Sequence, residues 1–203
     1  MVILLNGEFP SHELPLSILK KSQYIICCDG AVNQLESFGL NPDVIIGDMD
    51  SINDFLKQKY STKLVHIKRK TDTDFEKSLK YCIENNIDSV KVLGFSGERD
   101  DQYLSNIFLS FEYSRNLKIE MYSGFGSFNF VNEKQTFESF IGQKISLFSN
   151  YKETKIKTEN LKYNLNREPL SSMYSGISNE SVFNQFTVET DGSIVIVYQL
   201  FKD

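Results

Sequence analysis

PDVIIGDMDS, residues 42–51, is the stretch that best indicates the fold of this chain. The apolar run at 44–46 predicts a short buried strand, and Gly47 marks its end. Asp48 and Asp50 follow, and if the chain stays extended, their i, i+2 spacing places both carboxylates on one side. Two neighbouring carboxylates repel each other, and a divalent cation removes that conflict. Magnesium suits such a position, because it binds one or two carboxylates together with phosphate oxygens and water.

Strand and helix patterns alternate on both sides of this stretch. Buried strands are predicted within residues 1–6, 24–29, 43–48, 63–67, 88–94 and 118–123. Helices are predicted within residues 30–38, 51–60, 73–86 and 101–114. Strands separated by helices favour a Rossmann-like α/β fold, a mostly parallel sheet with helices on both faces, in which ligands bind beyond the carboxyl ends of the strands.

The ends and faces of the helices give further expectations. We expect Asp29 to cap the first of these helices and Gly39 to end it. Thr73 and Glu76 fit a capping box at the start of a later one. In the last helix we expect one apolar face, formed by Leu104, Ile107, Phe108 and Phe111.

After residue 122 the pattern changes to short β-rich runs without a long amphipathic helix. We therefore expect two domains, an α/β domain at 1–124 and a small antiparallel β-sandwich at 125–203. Asp191-Gly192 predicts a hairpin turn between the last two strands. Residues 160–176 read as a long irregular connection, either an ordinary surface loop or one that shapes a substrate site.

A second acidic group follows a later strand, in KRKTDTDFEKS at residues 68–78. Asp72 and Asp74 alternate here, and Asp74 falls in the first turn of the predicted helix, where the helix dipole favours an anion. The cations Lys68, Arg69 and Lys70 come just before. Cations beside acidic residues indicate a phosphate chain held by both.

A third group, GFSGERDDQ at residues 94–102, follows the strand predicted at 88–94. Its glycines let the backbone approach a ligand, and Arg99 can form a forked contact with phosphate. Taken alone, each acidic group is more often a solvated turn or a helix cap. Three such groups at successive strand ends of one sheet favour a functional site.

These residues carry a resemblance to the thiamine pyrophosphokinase (thiamine diphosphokinase) family. The chain contains CDGAVNQL, PDVIIGDMDS, TDTDFEKSL, GERDDQ and SGISNES in the order of the family's motifs. The resemblance implies an ATP-binding α/β domain, a β-sandwich domain that helps to bind thiamine, and a homodimer with active sites at the subunit interface. It also implies Mg²⁺-dependent transfer of diphosphate from ATP to the hydroxyl of thiamine, with release of AMP.

Carried over by position, the resemblance assigns the site residues. Catalytic roles fall to Asp48, Asp50, Asp74 and Asp101, of which the first three would hold magnesium. Contacts to ATP fall to Asp29, Gly30, Lys70, Asp72, Arg99 and Gln102, and contacts to thiamine to Ser178 and Asn179.

The chain also departs from the family's pattern. Glu98 stands where a second glycine is usual, and Gln102 stands where many bacterial members have histidine. The chain has no tryptophan, so the indole that packs against thiamine in some members is missing, and Tyr174 or Phe183 could replace it.

Composition sets broader bounds. The net charge of −5 argues against a nucleic-acid partner, and no apolar stretch approaches the ~18 residues of a membrane span. The three cysteines lack zinc-ligand spacing, and we expect a cytoplasmic protein. Two alternatives use the same acidic residues: a magnesium-dependent nucleotide phosphohydrolase that delivers water, and a thiamine or nucleotide sensor that binds without turnover.

Overall fold

The computed structural model describes residues 1–68, 71–97 and 99–202. The chain divides into two compact units, Met1–Gly124 and a second that begins at Phe125. The strands of the first unit are β1 (Val2–Leu4), β2 (Ile25–Cys28), β3 (Val44–Gly47), β4 (Leu64–His66), β5 (Ser89–Leu93) and β6 (Lys118–Tyr122). Its helices are α1 (Glu13–Lys21), α2 (Ala31–Ser37), α3 (Asp54–Lys59), α4 (Asp74–Glu84) and α5 (Asp100–Tyr113).

The strands of the first unit form a parallel sheet in the order β6-β5-β1-β2-β3-β4. Val2 and Leu4 of β1 pack in one core with side chains of α1, α2 and α3. Ile3 between them is also fully buried and faces the other side, where α4 packs on β2 and β3. Both faces of the sheet are therefore covered, which confirms the predicted α/β fold.

The ends of the helices follow local chemistry, with one correction. Thr73 caps α4 by accepting from the Glu76 backbone N–H at 3.1 Å, which is one half of the expected capping box, while the Glu76 carboxylate bonds Lys80 and Tyr113. Gly39, with φ of +81°, follows α2 and ends it. The prediction that Asp29 caps α2 is wrong, because Gly30 is the cap residue and makes no side-chain cap bond. The Asp29 carboxylate points instead towards residues 48–51, as described below.

The predicted apolar face of α5 is also wrong in part. Phe111 is buried, but Leu104 is 55% and Phe108 is 56% exposed. The helix buries the polar and small residues Asn106 and Ser110 instead. Periodicity cannot distinguish these faces, because apolar residues occur on both.

The second unit is built from antiparallel strands, as predicted. They are β7 (Gly126–Val131), β8 (Lys134–Glu138), β9 (Lys144–Ser149), β10 (Ile156–Glu159), β11 (Asn166–Glu168), β12 (Gly176–Glu180), β13 (Gln185–Thr190) and β14 (Val195–Leu200). One set pairs in the order β12-β9-β14-β7 and the other in the order β11-β10-β13-β8. Buried residues from both sets share one core, which includes Ile145, Phe186 and Val197.

Two expectations for this unit need correction. Asp191-Gly192 does connect β13 and β14, but β13 pairs with β8 and β10 whereas β14 pairs with β7 and β9. The turn therefore links the two strand sets and does not close a hairpin. The connection at 160–176 is not irregular throughout, because it contains β11 and is anchored by the buried residues Leu161 and Leu170.

No helix within the described ranges is both long enough and apolar enough to cross a bilayer.

Candidate active site

A cleft of about 380 Å³ lies at the carboxyl ends of the parallel strands of the first unit. Its lining comes from the loops after β1, β2, β3 and β5 and from the first turns of α4 and α5. The lining residues used below are Asp29, Gly30, Ser51, Thr73, Asp74, Gly94, Phe95, Gly97, Arg99, Gln102 and Asn106. This is the edge at which parallel α/β sheets bind ligands.

Three carboxylates meet at this edge. One oxygen from each of Asp29, Asp48 and Asp50 lies within 4.8 Å of the other two. Asp48 and Asp50 come together as predicted, but through a different backbone. β3 ends at Gly47, and Met49 has a left-handed φ of +66°, which turns the chain so that the Asp50 N–H donates to Asp48 Oδ1 at 3.4 Å.

Asp29 is the buried member of this carboxylate cluster. Its Oδ2 accepts from the Ser51 backbone N–H at 3.4 Å, while its Oδ1 is buried and has no hydrogen-bond partner. Burial raises the pKa of Asp29 to about 6, and the nearby charges of Asp74 and Asp50 add to the increase. An unpartnered buried oxygen beside two further carboxylates fits a divalent cation, which would supply the missing positive charge.

Gly47 allows two of the acidic side chains to approach each other. A Cβ at this position would lie 2.8 Å from Asp29 Cβ and 3.2 Å from Asp74 Oδ2. Any larger residue would displace one of these side chains. Asp74 therefore lies next to the carboxylate cluster, although its oxygens are not among the three grouped within 4.8 Å.

Two asparagines brace the loop that carries the cluster. Asn33 of α2 donates through Nδ2 to the Ser51 carbonyl at 3.0 Å, and its Oδ1 accepts from Asn53 at 3.0 Å. Asn53 in turn caps α3 by accepting from the Leu56 N–H. The chain that follows the left-handed turn at Met49 is thus held by amides of α2 and of the α3 cap.

The second acidic pair separates at the start of α4. Asp72 is nearly buried and bonds Lys80 Nζ at 2.8 Å. Asp74 bonds Lys77 Nζ at 2.7 Å through Oδ1. Asp72 is thus held along the helix, whereas Asp74 lines the cleft.

The third group contributes cleft wall and an exposed ion pair. Arg99 binds both carboxylate oxygens of Asp101, at 3.0 and 2.5 Å, and these hydrogen bonds lower the pKa of Asp101. Arg99 and Gln102 line the cleft, and Asp101 is not among the lining residues. Gly94 and Gly97 adopt positive φ, as their predicted role in bending the backbone requires.

Asn106 is a site residue that the sequence analysis missed. It is buried on α5 and donates through Nδ2 to the Phe95 carbonyl at 2.9 Å. This bond ties the loop after β5 to the helix that forms the cleft wall. The sequence contains no clear signal for it, because α5 has several other polar residues and the burial of one amide cannot be read from the pattern.

The two residues predicted to contact thiamine differ from each other. Ser178 is exposed and has a left-handed φ of +59° at an irregularity of β12. Asn179 is buried, and its side chain bonds both the N–H and the carbonyl of Tyr163. Ser178 is therefore available to a ligand, whereas Asn179 holds the preceding connection in place.

Lys70, predicted to contact ATP, and its neighbour Arg69 lie outside the described residues, as does Glu98.

Comparison with known protein families decides what these two units are. Residues 16–122, more than half of the chain, match the family described as "Thiamin pyrophosphokinase, catalytic domain". Residues 126–198 match the family described as "Thiamin pyrophosphokinase, substrate-binding domain". The chain belongs to the thiamin pyrophosphokinase family.

Individual relatives agree with this assignment. "Thiamin pyrophosphokinase 1" of Caenorhabditis elegans is 33% identical over 115 residues, which is 52% of this chain and 47% of the worm protein. The chain thus spans about half the length of this curated relative.

Solved structures of family members share the fold. Thiamine pyrophosphokinase from Bacillus subtilis superposes with a TM-score of 0.83 and 22% identity, over all of both chains. Yeast thiamin pyrophosphokinase gives a TM-score of 0.75 and 18% identity, over 98% of this chain and 86% of the yeast chain.

Proposed function

We propose that this member of the thiamin pyrophosphokinase family transfers diphosphate from ATP to the hydroxyl of thiamine, giving thiamine diphosphate and AMP. The observation that carries the proposal is the carboxylate cluster of Asp29, Asp48 and Asp50, with its unpartnered Asp29 oxygen, in the catalytic domain of this family.

Magnesium is the proposed cofactor. Asp48 and Asp50 would hold it, together with Asp29 and with Asp74 across Gly47. When bound, the ion supplies positive charge to the phosphate oxygens during transfer. The donor set supports this choice, because carboxylate oxygens with no sulfur or imidazole among them suit magnesium.

The other residues of the site position the reactants. We assign contacts with ATP to Gly30, Arg99 and Gln102 in the cleft, and to Lys70 and Asp72 before α4. The guanidinium of Arg99 can exchange its exposed pairing with Asp101 for a forked contact with phosphate. One of Asp48, Asp50, Asp74 and Asp101 accepts the proton of the thiamine hydroxyl. The hydroxyl oxygen bonds the β-phosphorus of ATP as the bond from that phosphorus to the departing AMP oxygen breaks.

The two units divide the substrates in this proposal. Residues 1–124 bind ATP and carry the chemistry, and residues 125–203 contribute to thiamine binding, with Ser178 as the contact and Asn179 as its support. We propose a homodimer with active sites at the subunit interface.

The cell compartment is proposed from chemistry. The reaction consumes ATP, and the three cysteines are all buried and unpaired. Both features support a cytoplasmic location.

The test is incubation of the purified chain with ATP, MgCl₂ and thiamine, followed by separation of nucleotides and thiamine esters. The proposal expects AMP and thiamine diphosphate in equal amounts, no ADP, and no reaction when thiamine or magnesium is omitted. The matched control is Asp48→Asn, which should bind ATP and thiamine and form little product.

Two other results would contradict the proposal. Nucleotide hydrolysis without thiamine would indicate a phosphohydrolase. Calorimetric binding of thiamine with no AMP formed would indicate a sensor.

A further inference from the structure

Lys77 of α4 is a buried cation next to the carboxylate cluster. Its side chain is only 4% exposed, and its ammonium donates to Asp74 Oδ1 at 2.7 Å. Lysine is seldom buried to this extent, because an ammonium loses its hydration on leaving water. The role of its partner, the Asp74 carboxylate, can explain why Lys77 is buried.

A comparable Asp–Lys pair in α3 shows whether an aspartate in the first turn of a helix needs a buried lysine for helix stability. Asp54 and Lys57 of α3 are also a first-turn aspartate and a lysine three residues later. Their atoms are 3.8 Å apart, and their side chains are 103% and 35% exposed. Exposed pairs of this kind contribute little to stability, so starting a helix with Asp does not require a buried lysine.

The two oxygens of Asp74 have different surroundings. Oδ1 is bound by Lys77, whereas Oδ2 lies 3.2 Å from the point where a Gly47 Cβ would be. The Asp29 carboxyl carbon is 3.2 Å from that same point. Oδ2 is therefore the Asp74 oxygen nearer to Gly47, on the side where the like-charged Asp29 carboxylate lies.

That position is unfavourable for an unrestrained side chain. Asp74 is 30% exposed, so a free carboxylate could turn from Asp29 towards water. The bond to Lys77 opposes this rotation. The backbone of Asp74 is held as well, since its carbonyl accepts from Ser78 Oγ at 2.8 Å.

We propose that Lys77 is a positioning residue, which holds Asp74 by Oδ1 so that Oδ2 faces the cation site. The inference rests on the proposed function in one respect, that Asp74 is a cation ligand. Hydrogen bonds to metal-binding carboxylates typically change metal affinity or activity by about 10- to 100-fold when removed.

The experiment measures binding of Mn²⁺ alone, as a probe for magnesium, by electron paramagnetic resonance and calorimetry. It compares the wild-type chain with Lys77→Met, Asp74→Asn and the double variant, and uses Lys57→Met as the matched surface control. We expect Lys77→Met to raise the Kd for Mn²⁺ by about 10-fold or more. We expect Lys57→Met to leave it unchanged, and Lys77→Met to have no further effect once Asp74 is Asn.

The result that overturns the inference is equally definite. If Lys77 acted only through its charge, its removal would make the site more negative, and Lys77→Met would bind Mn²⁺ as tightly as wild type or more tightly. A loss of affinity that persists in the Asp74→Asn background, or a wild-type chain that binds no Mn²⁺, would also overturn it.

Folding and function are checked separately. Circular dichroism and Tm without metal show whether each variant folds, and Lys77→Gln, which keeps a hydrogen-bond donor, replaces Lys77→Met if that variant does not fold. We expect Lys77→Gln to retain part of the Mn²⁺ affinity, because its amide can still donate to Asp74 Oδ1. Wild-type affinity in a folded Lys77→Gln variant whose amide does not reach Asp74 would count against the inference. A wild-type chain that shows the expected Mn²⁺ pattern but makes no thiamine diphosphate would contradict the proposed function and leave this inference standing.

Discussion

The chain uses the pattern Asp-x-Asp twice, at Asp48–Asp50 and at Asp72–Asp74, and the two pairs end in different surroundings. In the first pair, the left-handed residue Met49 turns the backbone so that both carboxylates join one cluster. In the second pair, the start of α4 separates them, and each meets a different lysine of the helix. Equal spacing in sequence therefore does not produce equal geometry, because the backbone between the two residues decides where the carboxylates point.

The largest expected effect comes from one residue of each pair that we assign to the cation site. Asp50→Asn and Asp74→Asn should each lower turnover by about 100-fold or more at saturating magnesium, because each removes charge from the cation site. Steady-state assays of AMP release measure this, with circular dichroism as the check on folding. Near-normal turnover in Asp74→Asn would remove Asp74 from the site and leave the first pair alone in it.

Gly47 tests the close approach between Asp29 of the carboxylate cluster and Asp74 of the second pair. Gly47→Ala introduces a Cβ 2.8 Å from Asp29 Cβ and should lower turnover by about 10- to 100-fold, because small displacements at a reacting centre are costly. The matched control is Gly124→Ala, since Gly124 has no atom within 4 Å of an added Cβ. Equal activities of the two variants would show that the spacing at Gly47 does not matter.

A smaller effect is expected at Asp72, the member of the second pair that points along the helix. Asp72→Asn should lower turnover by less than about 10-fold and the free energy of unfolding by about 1 kcal/mol, because its carboxylate bonds Lys80 and Thr71. Denaturant unfolding and the same assay distinguish the two effects. A loss of turnover as large as that of Asp74→Asn would mean that the second pair acts as a unit, like the first.

The smallest expected effect is a change in thermal stability. Saturating Mg²⁺ should raise the Tm of the wild-type chain by roughly 5 °C, because the ion binds only the folded carboxylate cluster. Asp29→Asn should reduce this increase, and Asp54→Asn, on the exposed face of α3, should not. A Tm that does not respond to Mg²⁺ in the wild-type chain would contradict a preformed site.

Much of the fold of the first unit was predictable, because its buried strands appear as apolar runs between helices. The face of α5 was not, since Leu104 and Phe108 are apolar but exposed while Asn106 is buried. The Asp191-Gly192 turn was recognised as a turn, but the two residues do not reveal that the strands on either side, β13 and β14, pair with different partners.

The candidate site was predictable only where its members adjoin in sequence. The proximity of Asp48 and Asp50 was predicted from their spacing, but it depends on the left-handed φ of Met49 and not on the extended backbone that was assumed. Asp29 was expected near ATP and not in the carboxylate cluster, because its place depends on the pairing of β2 with β3. Gly47 and Lys77 were missed as site residues for the same reason: their importance lies in contacts made across the fold.

The most direct test of the account is a crystal structure of the chain grown with Mn²⁺ and recorded at a wavelength that gives anomalous signal from manganese. We predict a peak about 2.1 Å from carboxylate oxygens of Asp48 and Asp50, with Asp29 or Asp74 completing the protein ligands. A peak bound by other residues, or none in the cleft at saturating Mn²⁺, would contradict it.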